Sequence, residues 1–164
     1  MPKIANVFQK RQTMIQRIQT IYLFLATALM ISIIFFPIME NQNGQILEAF
    51  YYKYVENANV IKKTVFPLGL TAILAAFLDF IAIFFYKNNK QRVIQVRITT
   101  LAMLLSLGFY LGVIFYAYVG DFFNSKNTYS WVLIFPLIAA ILNFLAIKAI
   151  KKDIEKVKSA DRLR

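Results

Sequence analysis

The chain contains no cysteine and no histidine. The first absence excludes disulfides, thiolate metal ligands and a thiol nucleophile. The second removes the commonest metal ligand and the commonest general base. Acids are also scarce, eight against nineteen basic residues. No two carboxylates stand at helical spacing inside an apolar run. No glycine-rich loop opens a helix as a phosphate cradle, and the serines have no base to activate them. Enzymatic chemistry is therefore not expected, and no cofactor or metal is implied.

What the chain has is apolar surface. Of its 164 residues 59% are hydrophobic, and the mean hydropathy is +0.57. A soluble domain of this length needs polar side chains to cover itself, whereas a membrane domain turns apolar ones outward into lipid. Length predicts one domain. Four apolar runs stand out, at about 20–39, 65–86, 98–119 and 131–150. At about 1.5 Å per residue, each matches a hydrocarbon layer of roughly 30 Å. The fold class expected is an all-α membrane protein, a four-transmembrane-helix bundle. A basic start before an apolar run also describes a signal peptide. This run is too long for one and ends in the bulky IIFFPIME without a small-residue cleavage site, so it reads as a retained span.

Residues 1–19 form a basic arm with Lys3, Lys10, Arg11 and Arg17 and no acid, while Ile4, Val7, Phe8, Ile15 and Ile18 recur at roughly helical spacing. The arm is expected to lie as an amphipathic helix on the inner membrane surface. In the first long loop, ILEAFYYKYV (Ile46–Val55) followed by a turn at Glu56–Asn59 predicts a small β-hairpin with Val60–Val65. Tyr51, Tyr52 and Tyr54 fit a membrane–water boundary better than a partner surface, and Tyr129 and Trp131 read as anchors of the same kind. Pro67 falls in the first turn of the second span. Gly108 and Gly112 make a small-xxx-small face on the third, and Pro136 predicts a mild kink about one turn into the fourth. Residues 151–164 read as a helical extension into water.

Charge fixes the orientation. Fifteen of the nineteen basic residues lie in the arm, in the segment 87–97 and in the tail from Lys148. The alternate loops hold the other four, with four acids. The positive-inside rule then puts both termini in the cytoplasm. The same distribution accounts for the net charge of +11 without nucleic acid. The expected partners are the lipid bilayer itself and anionic inner-leaflet lipid.

The chain also repeats itself. AAFLDFIAI at Ala75–Ile83 returns as AAILNFLAI at Ala139–Ile147, 64 residues on, with six of nine positions identical. IQRIQT at Ile15–Thr20 resembles IQVRITT at Ile94–Thr100. Two tandem helical hairpins follow, related by an axis along the membrane normal. In that repeat Asp79 falls on Asn143, with Thr27 and Ser106 at comparable depth. An ionised carboxylate in lipid costs at least ~2.5–3.5 kcal/mol, so Asp79 should face the bundle interior. There it is protonated or hydrogen-bonded to Asn143, Thr27 or Ser106, or else paired with Arg17 or Arg97 reaching in from the boundary. The weightier role for this polar cluster is an interhelical contact that fixes packing. The sharper one is a proton or cation path, for which a single acid without a second acid or histidine is a poor relay. The tail acids Asp153 and Glu155 read as solvated among lysines.

MIQRIQTIYLFLA at Met14–Ala26, QRVIQVRI at Gln91–Ile98, FPLIAAILNFLAIKAIKKD at Phe135–Asp153 and the closing ADRLR at Ala160–Arg164 resemble a family of uncharacterised bacterial four-span membrane proteins, a domain of unknown function. Its members usually open on the methionine of MIQRIQ, so Met1–Thr13 depart from the pattern, as an extension or as a start codon assigned too early. The resemblance implies four spans in the bacterial cytoplasmic (inner) membrane and no known activity, ligand or site. The expectation is a non-enzymatic integral membrane protein, an accessory or assembly subunit with a protein partner. The alternative is a small proton- or cation-linked transporter or channel using Asp79.

Overall fold

The computed structural model describes residues 18–41, 44–56, 59–86, 89–119 and 127–161. The arm before Ile18 with Arg17, the loop cation Lys87, Asp121 and the last three residues lie outside them. Four helices and one small antiparallel sheet are present: α1 (Ile18–Ser32), α2 (Phe66–Ala82), α3 (Asn89–Val119) and α4 (Phe135–Asp161). Strands β1 (Met39–Asn41), β2 (Ile46–Leu47), β3 (Tyr51–Glu56) and β4 (Asn59–Thr64) fill the α1–α2 connection, and β5 (Asn127–Tyr129) lies between α3 and α4. Helices α3 and α4 are long and apolar enough to cross a membrane. At about 1.5 Å per residue, the 31 residues of α3 run about 46 Å.

Helix ends differ from the apolar runs for local reasons. The run expected to span 20–39 is helical only to Ser32. Pro37 disfavours helix in the residue before it, and the Ile38 N–H is taken by Leu47 O of β2 at 2.8 Å. The second run, expected to reach residue 86, stops being helical at Ala82 and closes in turns over 83–86. The segment 87–97 is not a loop throughout, because α3 begins at Asn89 and carries Lys90, Arg92 and Arg97 within it. Lysine, arginine and glutamine are good helix formers, and nothing in KQRVIQVR interrupts the helix. Pro136 makes no mid-span kink. A 3₁₀ turn, Trp131–Ile134, precedes α4 and is capped by the Ser130 hydroxyl. Pro136 therefore sits in the first helical turn, as Pro67 does in α2, where its missing N–H is not needed.

The sheet is larger than a hairpin. Its order is β4-β3-β2-β1-β5, antiparallel throughout. β3 and β4 make the expected hairpin, with Tyr51 opposite Thr64. Ile46–Leu47 forms a strand of its own, and a tight turn at Gly44 (φ 75°) brings it back to β1. β5 then adds to the far side of β1, Met39 opposite Tyr129. The two loops at this end of the bundle are thereby joined into one sheet.

The sheet closes one end of the helices. Ile38, Met39, Leu47 and Ala49 are buried together with Val65, Leu68 and Ala72 of the second helix region, Phe109, Val113 and Ala117 of α3, Val132, and Met30 and Ile33 of the first. Phe50 lies against Gly69 so closely that a Cβ there would come within 2.2 Å of its ring. Of the small-xxx-small pair, Gly112 faces Leu68, but Gly108 has open space beside it. Tyr52 packs on the core, while Tyr51 and Trp131 are exposed.

The helices are inside-out relative to a soluble bundle. The buried face of α2 is Leu68, Gly69, Ala72, Ala75, Ala76, Asp79 and Ala82, and its outer face carries Phe66, Leu70, Ile73, Leu74, Phe77 and Phe80. Positions 64 apart share their fate. Leu68 and Val132, Ala75 and Ala139, Ala76 and Ala140, Asp79 and Asn143, and Ala82 and Ala146 are all buried.

Candidate functional site

Helix α3 packs against both α2 and α4, and across the alanine-lined interior the two polar residues 64 positions apart meet. Asn143 Nδ2 donates to Asp79 Oδ2 at 3.1 Å, with both residues fully buried. Of the other candidates, Thr27 donates its hydroxyl to Leu23 O at 2.9 Å and Ser106 to Met103 O at 2.8 Å. Each hydroxyl proton is spent within its own helix, so neither bonds Asp79 as a donor. Arg97 is exposed on α3 and does not reach inward; Arg17 lies outside the described residues.

Nearer the α3 start is an ion pair that the sequence reading missed. Arg92 Nη1 meets Asp153 Oδ2 at 2.6 Å, and Arg92 Nε donates to Tyr86 O at 3.2 Å. Both side chains are nearly buried. This corrects one expectation: Asp153 is not solvated among the tail lysines. Here α3 and α4 pack on each other, so an arginine on α3 and an acid on α4 fall into one seam. Removing one partner of such a pair costs about 3–5 kcal/mol, although the pair itself contributes little net stability.

Gln19, Gln95 and Thr99 were also missed, and all three are buried. On α3 the buried polar residues Arg92, Gln95, Thr99 and Ser106 recur at steps of three, four and seven. That is one face of a helix, a stripe legible in the sequence. The contacts give their heights. Asp153 to Asn143 is ten residues, about 15 Å along α4, and ten residues on from Arg92 is Ala102. Gly112 faces Leu68, and eleven residues on along α2 is Asp79, matched by Leu101 on α3. The Asp79–Asn143 bond therefore lies level with residues 101–102 of α3, within one turn of Thr99. Leu23, Ala82 and Ala146 cluster with Ile98, which puts Gln19, one turn before Leu23, near the height of Gln95.

The result is a polar column. It starts at Arg92–Asp153, passes Gln19 and Gln95, then Thr99, reaches Asp79–Asn143, and ends at Thr27 and Ser106. Beyond it Met30, Ile33, Leu68, Phe109 and Val113 are packed and apolar. Five buried atoms of the column have no hydrogen-bond partner among the described residues: Gln19 Nε2, Gln95 Oε1, Thr99 Oγ1, Asp79 Oδ1 and Asn143 Oδ1. Among the described residues no group of three acids, histidines or cysteines could hold a metal ion. On the outer face of α1 and α2, a lateral groove of about 360 Å³ is lined by Thr27, Ile31, Ile34, Ile73, Ala76, Phe77 and Phe80.

The profile described as "Domain of unknown function (DUF4293)" matches residues 15–163. No match was found among curated proteins.

Proposed function

This chain belongs to the DUF4293 family, a domain of unknown function, and from that premise we propose a four-span protein of the bacterial cytoplasmic membrane that acts as a non-enzymatic accessory or assembly subunit. Both termini lie in the cytoplasm in this reading, and the five-stranded sheet lies outside. The two hairpins α1–α2 and α3–α4 stand as tandem repeats about an axis along the membrane normal.

One observation carries the membrane assignment. The most apolar windows of α3 and α4 are only 28% and 39% buried. The core helix of a soluble protein is instead mostly covered. Exposed phenylalanine, leucine and isoleucine outside, with alanine, glycine and polar groups inside, is what lipid solvation favours. Helix α2 is too short to cross roughly 30 Å alone; the apolar turn over residues 83–86 completes it, and the turn over 33–36 extends α1 in the same way.

The accessory role is supported by the absence of reactive groups in the sequence and by a buried acid held in a packing contact. The cysteine-free chain makes the topology test clean. Single cysteines at Lys90 and Lys152 should react with an impermeant maleimide only in inverted vesicles, and one at Lys53 only in intact cells. Lys90 and Lys152 labelled from opposite faces would end the four-span reading. Crosslinking before native purification should recover a stoichiometric partner; a lone monomer or homodimer would count against the accessory role.

Transport through Asp79 is the second reading, favoured by the polar column that leads to it from one end. The apolar packing beyond Ser106 weighs against it. Asp79→Asn should abolish flux in liposomes if this reading holds, and flux that persists or never appears would dismiss it.

A further inference from the structure

The geometry points to a binding site for one dehydrated monovalent cation, with sodium as its probe, at the level of the Asp79–Asn143 bond. This inference rests on the bundle interior alone and not on the accessory role.

The argument begins with the unpartnered atoms. Asp79 Oδ1, Asn143 Oδ1 and Thr99 Oγ1 come from three different helices and lie within about one turn of the same height. Gln95 Oε1 is one further turn toward the Arg92 end. A buried polar atom without a partner costs about 1–3 kcal/mol, and these gather in one place instead of being scattered. All four are oxygens, the ligand type of hard cations. The residue of α3 level with the pair is Ala102, fully buried and small.

Charge selects the valence. Asp79 is the one acid on the described part of α2, and the next acid in the column, Asp153, is about 15 Å away along α4 and already paired with Arg92. The other basic side chains nearest this level, Arg97 on α3 and Lys148 on α4, are exposed and turned outward. One carboxylate compensates one positive charge. A divalent ion would keep an uncompensated charge in a low-dielectric core, which is costly. The interior is polar toward one end only. The amides of Gln19 and Gln95 stand between the site and the Arg92–Asp153 end, and Phe109, Leu68 and Met30 close the other. Such a site holds an ion and does not pass it on, so it ties α2, α3 and α4 together.

The full chain in nanodiscs tests this. A hydrophobic carbodiimide should modify Asp79 in choline chloride. Sodium at about ten times its dissociation constant should slow that modification about tenfold at equal ionic strength. Thr99→Val should raise the sodium concentration needed for half-protection. Thermal unfolding supplies a second readout if the reagent does not reach Asp79: sodium over choline should raise the midpoint of the wild type and leave that of Asp79→Asn unmoved. Asn143→Asp adds a second carboxylate and should transfer the stabilising effect from sodium to a divalent ion. Equal modification rates in the two salts, or equal midpoints where no modification occurs, would overturn the proposal and leave hydrogen bonding or a proton as the only satisfaction of these oxygens.

Discussion

The two halves of the bundle are built on opposite plans. Under the sheet, the interior is Met30, Ile33, Leu68, Ala72, Phe109, Val113 and Val132, with no polar side chain among them. Toward the α3 start, the interior is a column of Arg92, Asp153, Gln95, Thr99, Asp79 and Asn143 set among alanines. In the bilayer proposed for this chain, apolar packing alone gives little preference for one helix neighbour over another, because the tails are as apolar as leucine. The sheet-capped half gains its specificity from β1–β5 pairing and from Phe50 seated on Gly69. The other half has no such cap among the described residues and is held in register by polar contacts.

Breaking each half in turn tests the comparison. In the apolar half Phe109→Ala removes a fully buried ring and should cost about 3–5 kcal/mol in a reversible unfolding assay in detergent. In the polar half Arg92→Met strands Asp153 and should cost about 3–5 kcal/mol, but the double variant Arg92→Met/Asp153→Leu should recover most of it. Failure to recover would mean that the pair, and not the burial, stabilises this end. Gly69→Ala forces Phe50 off its seat and should cost about 1–3 kcal/mol, with faster proteolysis of the sheet as the local sign. Asn143→Ala leaves Asp79 without its donor and should cost about 1–3 kcal/mol. Gly108→Ala has open space beside it and should change stability by at most about 1 kcal/mol, with helix propensity favouring alanine.

Much of this was legible along the chain. The repeat placed Asp79 and Asn143 at one position, and burial confines an acid in an apolar run to the interior; together these foretell the bond that forms. The β3–β4 hairpin was legible because its strands are adjacent and rich in aromatic and β-branched residues. β5 was not. Three residues, Asn-Thr-Tyr, carry no periodicity, and their partner strand lies over eighty residues earlier. Arg92–Asp153 was hidden by exposure logic. In a lysine-rich tail an acid reads as solvated, and only the packing of α3 on α4 makes a seam that covers it. Thr27 and Ser106 have the depth expected of them, but each hydroxyl bonds a carbonyl of its own helix instead of reaching another helix.

The bond between Asp79 and Asn143 joins residues that occupy the same place in their respective hairpins. Were the hairpins separate copies of one chain, that place would look across at its own twin. Two aspartates there would repel at close range, and two asparagines would carry no charge at all. Only a single polypeptide holding both hairpins can set an acid opposite an amide, giving the middle of the bundle an odd electron-rich centre that no symmetric pair could share.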